Sequence, residues 1–195
     1  QLYGDLPLVT APITGEQAYE MKRSPKADVY KLITDDLKAA ATDLADVGSE
    51  PAKGRATRGA AKSLLGKVYL TMGDKTNAAL VLKDVVDNYG VTKYDLLPTF
   101  TALWGNTTAQ KNTKESIFEI QYSNVSPYYN WGGATRGQGN YAIQQCGIRG
   151  LNGSAQMPYA AGWSTNLPTQ NLAAAYAAGD KRKAVTVLDI EAYKT

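Results

Sequence analysis

Residues 57–90 read TRGAAKSLLGKVYLTMGDKTNAALVLKDVVDNYG, and this segment carries the clearest structural signals in the chain. Thr57 and Asp74 are helix N-cap residue types, and Gly73 and Gly90 stand where two helices would end. Between these signals apolar residues recur every three to four positions, which predicts two amphipathic helices. The predicted apolar stripes are Ala60, Ala61, Leu64, Leu65, Val68 and Met72, and then Ala78, Ala79, Leu82, Val85, Val86 and Tyr89. Because the turn between them is so short, the two helices must be antiparallel neighbours.

The spacing within this hairpin is more specific than amphipathicity alone. Leu65-Gly66-x-x-Tyr69, with Ala78 twelve residues after Gly66, follows the tetratricopeptide pattern of a helical pair of about 34 residues. Gly66 and Ala78 would be small because the helices approach closely there. Tyrosines 69, 89 and 94 are interpreted as scaffold. An unrelated hairpin with small residues by chance is the alternative, and a single tetratricopeptide pair needs neighbouring pairs to bury its face.

The flanking sequence predicts a further helix and a lead-in. Residues 1–15 are predicted to be extended or looped, and residues 48–54 form a second loop. Ser24-Pro25 predicts an N-cap followed by a proline at the first helical position, so a helix is expected over 24–45. At the other end, residues 185–195 are predicted to begin with a strand.

Composition bounds the function classes. The chain has 195 residues, 44% of them hydrophobic, and a formal charge of +3 without a run of like charges. That size fits one medium domain or two small ones, and nucleic acid or anionic membrane surfaces are not indicated as partners. Unbroken apolar stretches such as residues 78–82 are far too short to span a bilayer.

Histidine is absent, and cysteine occurs once. The absence of histidine excludes Ser-His-Asp and Cys-His nucleophile pairs and every His-ligated metal site. The lone Cys146 excludes an intrachain disulfide and is predicted to be buried as a small hydrophobe. The sequence therefore predicts no metal and no cofactor.

Residues 124–166, the Gly/aromatic segment, differ from the rest. They hold eight of the 18 glycines and two of the three tryptophans, and their only charged residues are Arg136 and Arg149. Sugar rings present flat C–H faces edged with hydroxyls, and aromatic rings with amide and guanidinium donors complement them. The predicted ligand-binding residues are Tyr128, Tyr129, Asn130, Trp131, Arg136, Asn140 and Tyr141.

The same aromatic rings have a structural alternative, in which they pack over the glycine-rich backbone. Two tryptophans outside this cluster are assigned to structure. Trp163 is expected to pack, and Trp104 is expected to lie in the core or at a subunit contact.

Three ordered blocks carry a family resemblance. GRATRGAAKSLLGKVYLTMGD at residues 54–74 resembles the signature helix of the SusD/RagB family of surface glycan-binding lipoproteins of Bacteroidetes. ESIFEIQY at residues 115–122 resembles the strand that follows the family's helical hairpin. PTQNL at residues 168–172, followed by Tyr176 and GDKR at 179–182, resembles a later family segment.

The resemblance implies a mainly α fold: tetratricopeptide-like helical hairpins with a loop-rich insert and a few short strands. It divides the chain into a helical scaffold at 1–123 that ends in a strand, a ligand-binding loop region at 124–166, and a helix with the start of a further segment at 167–195. The chain is expected to be part of a longer SusD-like domain.

The implied function is non-catalytic binding of oligosaccharide or polysaccharide at the extracellular face of the outer membrane, with delivery to a SusC-like TonB-dependent transporter for nutrient uptake. The family's lipid-bearing cysteine has no counterpart at Gln1, so a lipid anchor would lie outside this chain. Two alternatives are a tetratricopeptide protein-interaction module and a glycoside hydrolase. The hydrolase needs two carboxylates, whereas the nearest acids to the segment are Glu115 and Glu119.

Overall fold

The computed structural model describes residues 2–90, 92–105, 107–122, 141–150 and 161–190. Within these ranges the chain is mainly helical, which confirms the predicted fold class. The α-helices are α1 (Gly15–Glu20), α2 (Lys26–Asp43), α3 (Arg58–Met72), α4 (Lys75–Tyr89), α5 (Tyr141–Cys146), α6 (Gln170–Ala175) and α7 (Lys183–Thr186). Two 3₁₀ helices span Phe100–Leu103 and Thr108–Gln110. None of the described helices is both long and apolar enough to cross a membrane.

The chain divides into two compact units. Residues 1–96 and 112–119 form the first, and residues 97–111 and 120–195 form the second. α1 to α4 belong to the first unit, and α5 to α7 belong to the second. The predicted three-part division at 123 and 166 stays a prediction.

The boundaries of the α3–α4 hairpin are those that the sequence predicts. Thr57 caps α3 by accepting a hydrogen bond from the Ala60 amide at 3.3 Å, and Asp74 caps α4 by accepting one from the Asn77 amide at 3.0 Å. Gly73 ends α3 with φ +83°, a left-handed conformation that disfavours residues with a Cβ. α4 ends before Gly90.

The core of the first unit lies between α2, α3 and α4. Leu65, Tyr69 and Ala78 form one buried cluster, and Leu37 of α2 and Val81 of α4 pack against it. The close approach of the helices explains Gly66, because a Cβ there would lie 2.5 Å from the Leu82 side chain. The predicted small residues and the scaffold role of Tyr69 are therefore confirmed.

The start of α2 corrects one prediction. Pro25, not Ser24, is the N-cap residue, and no local side chain caps the helix. The Asp5 carboxylate accepts a hydrogen bond from the Lys26 amide at 2.8 Å, and the Ser24 amide donates to the Leu6 carbonyl at 2.9 Å. The lead-in segment therefore supplies the cap that Ser24 was expected to give. The short helix α1 follows the lead-in, and the sequence did not predict it.

Two predicted strands are absent. Residues 115–122 form no strand: no β-bridge of the described residues involves them, and local hydrogen bonds occur in this segment. The Glu119 carboxylate accepts hydrogen bonds from the Asn112 amide at 3.1 Å and from the Ser116 hydroxyl. Residues 183–186 form α7, so the strand predicted to begin at residue 185 is also wrong.

Several residues predicted to be buried are exposed. The buried residues of α3 follow a narrow line through Ala61, Leu65 and Tyr69, so Leu64 and Met72 fall outside it. Val86 of α4 is likewise exposed. Cys146 is exposed because it is the last residue of the short helix α5. Trp104 keeps 61% of its surface exposed and therefore does not lie in a core, although its ring centre lies 6.2 Å from that of Phe100.

Candidate functional site

Most of the predicted sugar-binding residues lie outside the described part of the chain. These are Tyr128, Tyr129, Asn130, Trp131, Arg136 and Asn140. Tyr141 is the first residue of α5. The grouping of the seven residues therefore stays a prediction. Within the Gly/aromatic segment, the structure describes residues 141–150 and 161–166.

Two described parts of the Gly/aromatic segment, residues 141–150 and 162–166, are bonded to each other. We name residues 162–166 the return turn, because its amides donate to carbonyls at and just beyond the end of α5. The Gly162 amide donates to Ile148 at 2.9 Å, Trp163 to Gln144 at 2.6 Å and Ser164 to Gly147 at 2.9 Å. The amides of Thr165 and Asn166 both donate to Gln145, at 3.1 and 3.0 Å. The last carbonyls of a helix have no partner within the helix, and the return turn supplies those partners.

The return turn fits closely against α5. A Cβ on Gly162 would lie 2.4 Å from the Gln144 carbonyl oxygen and 2.5 Å from the Gly147 Cα, so only glycine fits there. The Ser164 hydroxyl accepts a hydrogen bond from the Arg149 amide at 2.6 Å. The Asn166 amide group lies 3.7 Å from the Cys146 sulfur. Backbone bonds and short polar contacts, rather than a buried apolar core, thus hold this turn.

Side chains on and near the return turn include an aromatic ring, amides and a guanidinium group. Trp163 has 37% of its surface exposed. Gln145 of α5, Arg149 just after α5 and Asn166 of the return turn are exposed. The expectation that Trp163 packs stays a prediction.

The first unit has a second polar cluster, on the helical hairpin. The Tyr89 hydroxyl donates to Asp46 at 2.9 Å, and Arg58 pairs with the same carboxylate at 3.3 Å. Lys62 pairs with Asp84 and lies 5.5 Å from the centre of the Tyr89 ring. Burial and the hydrogen bond to Asp46 raise the pKa of Tyr89 to about 12, and the Lys62 ammonium lowers the pKa of Asp84. These contacts satisfy polar groups around the core, which is a structural role.

An open groove of about 410 Å³ lies between α2, α3 and α4. Apolar and charged side chains both line it: Lys38, Ala41, Thr42, Lys62, Leu65, Leu80, Val81 and Asp84. Because Lys62 and Asp84 neutralise each other, the groove offers no unpaired acid–base pair for chemistry. Among the described residues, no group of three or more Cys, Asp or Glu side chains is placed to hold a metal ion.

The block at residues 168–182 is structural. The Thr169 hydroxyl caps α6 by accepting a hydrogen bond from the Leu172 amide at 3.3 Å. The Arg182 guanidinium donates to both carboxylate oxygens of Asp180 and holds the pKa of Asp180 at about 2. The threonine and the Asp-x-Arg pair of this block therefore set local backbone geometry rather than a site.

The chain combines a helical hairpin with a charge-poor segment that is rich in glycine and aromatic residues. Comparison with known proteins gives the following result. No family model matches the chain. SusD-like protein P2 of Formosa agariphila is 28% identical over 189 residues, which cover 96% of this chain and 35% of that protein. The chain thus spans about a third of the length of this curated relative.

Solved structures give the same result. A SusD-like carbohydrate-binding protein from Bacteroides fragilis is 30% identical, with a TM-score of 0.55, over 62% of this chain and 23% of that one. A second SusD-like protein of the same organism is also 30% identical, with a TM-score of 0.53, over 63% of this chain and 24% of that one. Surface glycan-binding protein A from Bacteroides uniformis is 18% identical, with a TM-score of 0.69, over 94% of this chain and 37% of that one, and shows the shared fold. These comparisons support the resemblance to the SusD/RagB family, because the curated relative and the solved structures that the chain resembles at 28 to 30% identity are SusD-like proteins.

Proposed function

We propose that this chain is part of a cell-surface protein that binds oligosaccharide reversibly and does no bond chemistry. The observation that carries the proposal is the Gly/aromatic segment, which combines aromatic rings, amides and only two charged residues. Two described parts of the segment, residues 141–150 and 162–166, are bonded to each other. The similarity to SusD-like proteins supports the same function, since one similar structure is named a carbohydrate-binding protein and another a glycan-binding protein.

In the proposed mechanism, sugar rings stack on aromatic side chains while amide and guanidinium groups hydrogen-bond the hydroxyls. The stacking residues are Tyr128, Tyr129, Trp131 and Tyr141. The hydrogen-bonding residues are Asn130, Arg136 and Asn140. The ligand is captured and released intact, and a SusC-like TonB-dependent transporter in the outer membrane receives it. A lipid anchor outside this chain would hold the protein at the extracellular face.

The absence of carboxylates from the Gly/aromatic segment argues against hydrolysis as the function. A glycoside hydrolase needs an acid and a second carboxylate on either side of the bond that it cleaves. The segment contains no Asp or Glu. The nearest described acid, Glu119, accepts hydrogen bonds from Asn112 and Ser116. Binding without turnover is therefore the better reading of this chemistry.

The proposal is tested by calorimetric titration of the full-length protein against plant, host and microbial oligosaccharides. We expect saturable binding with no release of reducing ends. Trp131→Ala should weaken binding by about 1 to 3 kcal/mol, the scale for losing a desolvated aromatic contact. Trp104→Ala is the matched control, because Trp104 is exposed and lies outside the segment. Unchanged affinity in Trp131→Ala together with a lower melting temperature would assign that ring to packing.

Protein–protein interaction is a second candidate function, and exposed apolar side chains on the hairpin favour it. Leu64 and Leu70 of α3 and Leu80 and Val86 of α4 are all exposed. Tetratricopeptide units commonly present such surfaces to other proteins. If the hairpin contacts the transporter, Leu70→Glu and Leu80→Glu should reduce co-purification with it while leaving glycan affinity unchanged. Equal co-purification of the variants and the wild type would remove this candidate.

A further inference from the structure

We propose that residues 7–23 open and close as one unit on a latch at their base. These residues contain α1, and we name them the α1 loop. The latch consists of two hydrogen bonds between residues 5–6 and residues 24–26, one of which also caps α2. The device lies within the first unit and does not involve the proposed glycan site.

Two hydrogen bonds close the base of the α1 loop. The Ser24 amide donates to the Leu6 carbonyl at 2.9 Å, and these two residues form an isolated antiparallel bridge. The Lys26 amide donates to the Asp5 carboxylate at 2.8 Å. Within the part of the chain that the structure describes, no further hydrogen bond joins residues 2–20 to the helices that follow. The loop therefore begins and ends at these two bonds.

The α1 loop has little buried surface to hold it closed. Every residue from 9 to 20 is exposed, and Leu8 is half-buried. Tyr19 of α1 has 95% of its surface exposed. Burial of apolar surface is the main source of stability, whereas an exposed hydrogen bond contributes little because water replaces it. Opening of the loop therefore needs only a small part of the free energy of global unfolding, as in other segments with few buried contacts.

The start of α1 does not depend on the latch. The Thr14 hydroxyl accepts a hydrogen bond from the Gln17 amide at 3.3 Å, and the Gln17 side chain accepts one from the Thr14 amide at 2.9 Å. Both partners of this capping box lie within the loop. The first turn of α1 therefore keeps its cap when the loop opens.

The start of α2 does depend on the latch. The first amides of a helix have no partner within the helix, and the N-cap residue Pro25 supplies no side-chain hydrogen bond. The Asp5 carboxylate supplies one instead, to the Lys26 amide. When the loop opens, α2 loses this cap. Because a coupling free energy acts in both directions, a weaker first turn of α2 also favours opening of the loop.

Hydrogen exchange of the full-length protein, measured by mass spectrometry with fragmentation to single residues, tests the latch. The reporter is the Ser24 amide, because its partner is the backbone carbonyl of Leu6 and not the substituted side chain. Asp5→Ala should accelerate exchange at Ser24 and Lys26 by about tenfold, which is the change expected for the loss of one cap. Asp5→Asn keeps an acceptor oxygen and should restore most of the protection. Asp28→Ala, at an exposed acid in the first turn of α2, is the matched control and should leave Ser24 unchanged.

The coupling is tested from the side of α2 by Ala27→Gly. Ala27 is exposed in the first turn of the helix, and glycine there weakens the turn without touching the loop. This variant should accelerate exchange at Ser24 by about threefold. Ala39→Gly makes the same change at an exposed position further along α2 and should leave Ser24 as in the wild type.

A distance measurement follows the loop itself. Spin labels are attached after Tyr19→Cys on α1 and Ala79→Cys on α4, both at exposed positions, with Cys146→Ser to remove the native thiol. The distribution of distances between the two labels should be broader in Asp5→Ala than in otherwise wild-type protein. Asp5→Asn should return it to the narrower form.

Three results would overturn the proposal. One is exchange at Ser24 that Asp5→Ala leaves unchanged. Another is faster exchange at Lys26 alone, because the cap would then be lost while the loop stays closed. The third is a label distribution that does not respond to Asp5→Ala. Exchange that accelerates equally in Asp5→Ala and Asp28→Ala would also contradict the latch, since the effect would then come from the charge near α2 and not from the Asp5 hydrogen bond.

Discussion

The hairpin of α3 and α4 and the return turn are held together by different interactions. The hairpin is held by buried side chains: Leu65, Tyr69 and Ala78 form a cluster against which Leu37 of α2 and Val81 of α4 pack. The return turn is held by its backbone amides, which donate five N–H···O bonds to residues 144–148, while Trp163 is 37% exposed. Burial of apolar surface contributes strongly to the free energy of folding. An exposed hydrogen bond contributes little, because it only replaces a hydrogen bond that the same groups make to water in the unfolded chain.

The difference separates stability from recognition. A buried aliphatic or aromatic side chain contributes to folding but is not available to a ligand. A turn fixed by its backbone does not depend on the burial of its side chains, and Trp163 remains partly exposed. We expect substitutions in the hairpin to change the free energy of unfolding, and substitutions in the return turn to change local order and binding. Four experiments test this contrast.

The largest expected effect is in the hairpin core. Leu65→Ala should lower the free energy of unfolding by about 2 to 4 kcal/mol, because it leaves a cavity against Tyr69 and Ala78. Leu64→Ala is a matched control at the preceding residue, because Leu64 is 51% exposed. It should change the free energy of unfolding by about 0.5 kcal/mol or less. Urea unfolding measures both. Equal losses in the two variants would show that the burial pattern of α3 is wrong.

The next effect concerns the polar side of the same core. Tyr89→Phe removes the hydrogen bond to Asp46 and should cost about 1 to 2 kcal/mol at neutral pH. Burial and the hydrogen bond to Asp46 raise the pKa of Tyr89 from its ordinary value of 10.0 to about 12 in the folded protein, so folding favours the protonated phenol. Its contribution is complete below pH 10 and is lost as the pH rises through 12.

The stability difference between wild type and Tyr89→Phe should therefore narrow between pH 10 and 12. Unfolding curves of the two proteins at several alkaline pH values measure it, and groups that titrate equally in both proteins cancel. A difference that stays constant across that range would contradict the Tyr89–Asp46 contact.

Two N-cap threonines allow the contrast to be tested with the same substitution. Thr57 caps α3, is buried, and also shares a hydrogen bond of 3.2 Å with the Tyr94 hydroxyl. Thr169 caps the six-residue helix α6 and is exposed. Thr57→Ala should cost about 1 to 2 kcal/mol, and Thr169→Ala about 0.5 kcal/mol, by thermal or urea unfolding. A larger loss at Thr169 would reverse the ranking of the two regions.

The sequence predicted the hairpin well because its signals are local. N-caps, a left-handed glycine and a three-to-four-residue apolar period act within one or two helical turns, so Thr57, Gly73 and Asp74 could be placed without a structure. The cap of α2 could not be placed, because Asp5 reaches it from 21 residues away. The strand predicted at residues 115–122 failed for a related reason, since a strand depends on a distant partner that a local pattern does not show.

The return turn was missed because backbone hydrogen bonds leave almost no side-chain signature. Every residue except proline can donate its backbone amide, so the side chains of residues 162–166 show no periodic pattern that would predict their contact with α5. Gly162 was the one residue with a structural requirement, and a glycine-rich segment hides a single essential glycine among many. The segment as a whole could be recognised by composition, but the positions of its side chains could not.

The smallest effect on global stability, and the sharpest test of the contrast, is expected for Gly162→Ala. The new Cβ would meet the backbone of Gln144 and Gly147, which cannot move aside as a flexible side chain could. We expect the turn to detach from α5, so that amide exchange accelerates at Trp163, Ser164 and Thr165 while α3 and α4 keep their protection. Gly15→Ala is the control, because no atom lies within 4 Å of its Cβ position. If exchange accelerates in α3 and α4 as well, the hairpin does not fold independently of the turn, and the separation of stability from recognition fails.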